Sequence, residues 1–129
     1  MNHVPVAIGL VICEQVIVDV ASRNVTPVNC FARLPLTEFP TTASFHVVAW
    51  LADGLGEMPI EVIVRKLDSK DEVFRLERTM QFDDPLQDMR FTARIRDCPF
   101  PVAGYYEVVV NVDGEFVAHR KFRVLLVGS

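Results

Sequence analysis

GYYEVVVNVDGEFVAHRKFRV, residues 104–124, decides the fold. Under the two-residue period of a strand, Tyr106, Val108, Val110 and Val112 share one face. Asp113-Gly114 follows, a dipeptide favoured in two-residue hairpin turns because Gly accepts the positive φ such turns require. On the return, Phe116, Ala118, Phe122 and Val124 form the matching apolar set. Arg120 interrupts that set, which predicts a bulge or a sheet edge. The stretch reads as strand, tight turn, strand.

The chain upstream has the same character. The apolar run Val4–Cys13 predicts a buried strand, and Glu14–Asp19 either continues it as strand or forms a short helical or irregular step. Ala21–Asn24 is a turn. Val25–Leu34 resumes as strand, with Pro27 placing it at an edge or bulge. Pro35–Pro40 reads as loop. Thr41–Leu51 is an apolar strand carrying the only tryptophan, Trp50. Asp53-Gly54-Leu55-Gly56 is a turn, Met58–Leu67 a strand, and Asp68–Asp71 a charged turn. In Glu72–Phe82 the residues Phe74, Leu76, Met80 and Phe82 share a face. Asp83–Asp88 is a loop around Pro85. In Met89–Asp97, Met89, Phe91, Ala93 and Ile95 alternate with outward Arg90, Thr92, Arg94 and Arg96. Cys98–Ala103 is a proline-rich corner. About seven to eight strands punctuated by Gly and Pro, with no amphipathic helix, predict an all-β, antiparallel β-sandwich. Its single domain covers residues 1–129.

Composition agrees with a packed domain. Half the residues are hydrophobic and 23% are charged, which is globular rather than disordered. A net charge of −4 argues against a nucleic-acid partner, since such binding runs on Lys and Arg. The three cysteines, Cys13, Cys30 and Cys98, are odd in number and lack CxxC spacing, so free thiols in a reducing cytoplasm are expected. The N-terminal apolar run has no preceding Lys or Arg, no small-x-small cleavage site, and about half the length of a membrane span. Neither a signal nor a membrane partner is expected.

Gly104-Tyr105-Tyr106-x-Val108, after the corner Pro99–Pro101, resembles the start of strand F in an immunoglobulin-like domain. There an inward tyrosine caps nearby backbone with its hydroxyl. Tyr106 has the right phase, and Gly104, Tyr106, Asp113 and Gly114 form the structural corner. The inter-sheet disulfide of antibody domains is absent. A second resemblance covers almost the whole chain. It rests on the order of Ile12-Cys13-Glu14, an extended strand ending near Phe31, Phe39-Pro40, Asp53-Gly54-x-Gly56-Glu57, Gly104-Tyr105-Tyr106 and Val112-Asp113-Gly114-Glu115. This order is similar to a family of small, mostly bacterial proteins known only as a domain of unknown function. The resemblance implies a cytoplasmic β-sandwich and carries over no catalytic residue.

The candidate chemistry is sparse. Cys13 beside Glu14 suggests a thiol nucleophile, but the sequence implicates no base for it. His3, His46 and His119 stand far apart, with no metal-ligand spacing. Asp53, Asp83, Asp84 and Asp88 lie in loops without the dense spacing of a calcium site. Trp50 and Tyr105 would suit a sugar platform, although the apolar strand around Trp50 predicts its burial. Arg90, Arg94 and Arg96 line one outward face, with Arg65, Arg75 and Glu77 expected on neighbouring strands. The plainer reading of that face is cross-strand Arg–Glu pairing. No GxSxG, HExxH or phosphate-cradling glycine loop occurs.

The expectation is a non-enzymatic module that binds a protein or self-associates. The motive is the long apolar first strand, which at an edge would offer unpaired backbone groups. The alternative is a small-anion or carbohydrate site on Arg90, Arg94, Arg96 or Tyr105. A cysteine-dependent enzyme on Cys13 ranks third. No cofactor and no metal are expected.

Overall fold

The computed structural model describes residues 1–128. Nine strands follow one another: β1 Val6–Val18, β2 Val25–Cys30, β3 Arg33–Leu36, β4 Thr41–Ala52, β5 Gly56–Lys66, β6 Glu72–Phe82, β7 Met89–Phe100, β8 Gly104–Val112 and β9 Glu115–Leu126. They form a four-stranded sheet in the order β2-β1-β4-β7 and a five-stranded sheet in the order β3-β9-β8-β5-β6. The two sheets enclose one core. Leu10 and Ile12 of β1, Phe45 to Leu51 of β4 and Phe91 to Ile95 of β7 supply one side through alternate residues. Ile60, Val62, Val64, Tyr106, Val108, Val110, Phe122 and Val124 supply the other. This is the all-β sandwich that the alternation predicts, with the immunoglobulin-like character that the resemblance at Gly104-Tyr105-Tyr106 implies.

The C-terminal hairpin forms as expected. Asp113 and Gly114 both take positive φ, 53° and 77°, the turn that matches strand twist. The tyrosine corner is also present. Tyr106 is buried, and its hydroxyl donates to the Val102 carbonyl at 2.7 Å. Removing that hydroxyl strands a carbonyl near the core. Tyr106→Phe is therefore expected to lower unfolding free energy by about 1–1.5 kcal/mol, read from a urea midpoint at unchanged slope.

Three details depart from the sequence expectation, and one open alternative is decided. Val25–Leu34 is two strands, not one, and β3 extends into the segment Pro35–Pro40 expected as loop. The chain changes sheets between them: the Phe31 N–H donates to the Ile12 carbonyl at 2.9 Å, and the Ala32 carbonyl accepts from the Arg123 N–H at 2.8 Å. β3 then runs parallel to β9, so one pairing is not antiparallel. Of the alternatives for Glu14–Asp19, strand is the one that forms, as far as Val18, and it pairs only with β2, because the β1–β4 register ends at Cys13↔His46. Finally, β1 is only partly buried. Leu10, Ile12 and Cys13 are covered, whereas Val6, Ile8, Ile17 and Val18 are exposed.

Trp50 departs from expectation as well. It points away from the core, on the outer face of the four-stranded sheet, and is half-buried. It lies over Gly9, where an added Cβ would meet its ring at 3.1 Å. Glycine at that position leaves room for the indole.

Candidate functional site

The chain segment from β2 through β3 is a U that covers half of each sheet edge. β2 lies beside β1 from Cys13 to Val18, and β3 lies beside β9 from Arg33↔Arg123 to Leu36↔Leu126. Beyond the U, the first half of β1 has a partner only in β4, and the first half of β9 only in β8. Backbone direction alternates along a strand. Ile12 turns its carbonyl toward β2 and Arg123 turns its N–H toward β3. Leu10 on β1, with His119 and Lys121 on β9, therefore aim their backbone groups at the same vacant side.

Between these half-open edges lies a cleft of about 380 Å³, lined by Ala7–Leu10 and Phe116–Arg120. Its walls carry apolar groups. Ile8 is 59% exposed, and Phe116 is 62% exposed. The expected inward apolar set of β9 fails at Phe116 because of a bulge between Val110↔Ala118 and Asn111↔Phe116. Arg120 sits opposite the core residue Val108, in inward phase, yet it is exposed, on the β9 wall of this cleft. The interruption at Arg120 thus marks both a bulge nearby and an open edge. Among the described residues Arg120 makes no ion pair.

The residues singled out from sequence do not form one site. Arg90 and Arg94 lie on the outer face of the four-stranded sheet, opposite Trp50 and His46, and Arg96 follows on the same strand. None of the three makes an ion pair among the described residues. Tyr105 is exposed on the other sheet, with the Arg123 guanidinium 5.9 Å from its ring centre. Trp50 and Tyr105 therefore cannot make a common platform. Arg65 and Arg75 are also on the five-stranded sheet, not beside β7. The Arg–Glu pairing expected around Arg90, Arg94 and Arg96 is found on that other sheet instead: Arg65 meets Glu107 at 2.8 Å, and Arg75 meets Glu61 and Glu72.

Cys13 is buried. Burial raises its thiol pKa, and the neighbouring Cys30 adds to this against a contact with the Val28 backbone. A thiol so held is a poor nucleophile toward a substrate arriving from solvent. His46 stands directly across from Cys13, a placement sequence did not give, but its Nδ1 lies 3.1 Å from the Glu14 carbonyl. His3 is bridged to Leu55, and His119 contacts Glu107. Asp84 accepts the Leu86 N–H within its own loop. Among the described residues no three His, Cys, Asp or Glu side chains converge on a metal position.

Sequence reasoning missed Glu107. It is the one buried charged side chain among the described residues, 2% exposed on the outer face of β8. Arg65 Nε, Lys70 Nζ and His119 Nδ1 surround it at 2.8, 3.4 and 3.1 Å. Its outward phase between Tyr106 and Val108 was visible, but its partners come from outside β8.

Several solved structures resemble this chain at low identity. An alkylpurine DNA glycosylase from Pseudomonas fluorescens, bound to DNA containing an abasic site analog, matches at 16% identity and a TM-score of 0.48. The match covers 73% of this chain and 27% of that one. A β-glucosidase from Listeria innocua matches at 14% identity and 0.47, over 92% of this chain and 16% of the enzyme. The chain thus spans less than a third of either enzyme. An immunoglobulin-like protein from Pseudomonas aeruginosa matches at 14% identity and 0.37, over 88% of this chain and 91% of that one. No curated protein matches the chain in sequence. The pattern of one family does match, over residues 9–125, and the chain belongs to it: the family of unknown function DUF6941.

Proposed function

We propose that this domain is a non-enzymatic interaction module that takes an extended segment of a partner protein into the cleft between β1 and β9. The observation that carries the reading is the paired vacancy: two half-open strand edges, from different sheets, face one cleft. A row of unsatisfied backbone groups is best matched by another extended backbone, as in strand addition. The side chains narrow the chemistry. Ile8, Leu10, Phe116 and Ala118 favour apolar residues, and Arg120, with no ion pair of its own, favours a carboxylate beside them. The partner segment is thus extended, apolar and acidic.

Lys121→Pro separates this role from folding. The Lys121 N–H points to the vacant side, so proline removes no ladder bond within the sheet and suits an edge position. It removes one donor to the partner, worth about 1 kcal/mol, or roughly fivefold in affinity. The partner captured by the wild-type domain from its own host is expected to bind this variant more weakly. On binding, amide exchange should slow in residues 6–12 and 115–121. Equal binding by the variant, or protection elsewhere only, would sink the proposal.

A further inference from the structure

Cys13 and Cys30 are direct partners across β1 and β2. The hydrogen bond from the Phe31 N–H to the Ile12 carbonyl lies one step along the ladder. That makes Cys13 and Cys30 a non-hydrogen-bonded pair, the closer of the two antiparallel pairings. In pairs of that kind the Cα atoms lie about 4.5 Å apart, inside the roughly 4.4–6.8 Å span of a disulfide. Directly opposite residues share a face, so both side chains project outward from the four-stranded sheet. Cys30 is exposed and Cys13 is covered, and both are free thiols. The Cys13 thiol is close enough to Cys30 and to the Val28 backbone to feel both, so it is turned toward β2.

We infer that Cys13 and Cys30 form a reversible dithiol–disulfide pair, a modification site at the base of the β1–β2 ribbon. The exposed Cys30 thiolate attacks a small external disulfide, such as glutathione disulfide. The external S–S bond breaks, one thiolate leaves, and a mixed disulfide forms on Cys30. Cys13 then gives up its proton and attacks the Cys30 sulfur, expelling the second small thiol. Two protons leave the protein and its two electrons reduce the external disulfide. Cys98 takes no part: it is buried, and burial pushes its thiol up to about 12.

The location gives the bond a consequence. Below Cys13, the strands β1 and β2 pair only with each other. They form a two-stranded ribbon with Ile17, Val18 and Val20 exposed. A two-stranded ribbon is marginal by itself. A bond at its base closes a ring through the Asp19–Asn24 turn and restricts the ribbon's opening.

The test is to incubate the folded protein with glutathione disulfide, map the peptides by mass, and follow amide exchange. The expected result is a loss of two hydrogens confined to the linked Cys13 and Cys30 peptides, reversed by dithiothreitol. Amides across Val16–Val25 should exchange at least severalfold more slowly in the oxidised form. Cys13→Ser should stop at a glutathione adduct on Cys30, and Cys30→Ser, a change at an exposed position, should not react. A wild-type protein that stops at the Cys30 adduct, forms only Cys30-linked dimers, or stays reduced overturns the inference.

Discussion

Phe45→Ala is expected to lower the unfolding free energy by about 4 kcal/mol, within the range for a large aromatic removed from a packed core. Phe45 is 1% exposed. It stands at the centre of an aromatic group: Phe31, Phe100 and Phe122 lie 6.1, 6.4 and 6.0 Å from it, centre to centre. Phe100 and Phe122 in turn pack on Tyr106, at 5.0 and 6.0 Å. These rings come from both sheets, so their neighbours cannot close a void without moving the sheets together. Phe31 gives the loss a second consequence. It belongs to the crossing that carries the chain from the β1 edge to the β9 edge. Loosening it should free the U that covers half of each edge, and proteolysis near residues 30–33 should quicken more than elsewhere. A denaturation midpoint implying a loss below about 1.5 kcal/mol would show that the cluster collapses into the space.

The features legible in the sequence are those that strand period and turn chemistry determine locally. The hairpin at Asp113-Gly114 and the inward phase of Tyr106 need nothing beyond their own neighbours. The crossing at Phe31–Ala32 carries no Gly or Pro, so Val25–Leu34 reads as one strand although the chain changes sheets within it. The bulge near Val117 turns Phe116 outward, and simple alternation cannot register a bulge. Trp50 lies in an apolar run that suggests the core, yet its phase opposes that of Ala49 and Leu51. Its cover is Gly9, from another strand. The candidate sites suffer most from this limit. The cleft exists because two edges are left half-covered, and the Cys13–Cys30 pair exists because of register. Both are properties of pairing, and composition does not display pairing.

Glu107 yields the second large effect. Burial pushes its carboxyl pKa up, but hydrogen bonds from His119, Arg65 and Lys70 pull it down further, leaving it below the usual carboxylate value. Arg65→Ala removes the closest donor, Nε at 2.8 Å. Stripping a buried charge of its partner costs about 3–5 kcal/mol. Two donors remain here, so about 2 kcal/mol is expected near neutral pH. The pH dependence has a definite sign. A group with a depressed folded pKa stabilises the fold fully above its unfolded value, about 4.3 for glutamate. That contribution is lost as pH falls through the lower folded value. The cost of Arg65→Ala should therefore shrink as acid protonates Glu107, and it should shrink likewise at neutral pH in a Glu107→Gln background. Urea unfolding of the two single variants and the double variant, repeated at decreasing pH, measures this coupling. A cost that stays the same at every pH and in both backgrounds would mean that Arg65 acts through the packing of its aliphatic stem, and that the buried carboxylate is held by Lys70 and His119 without it.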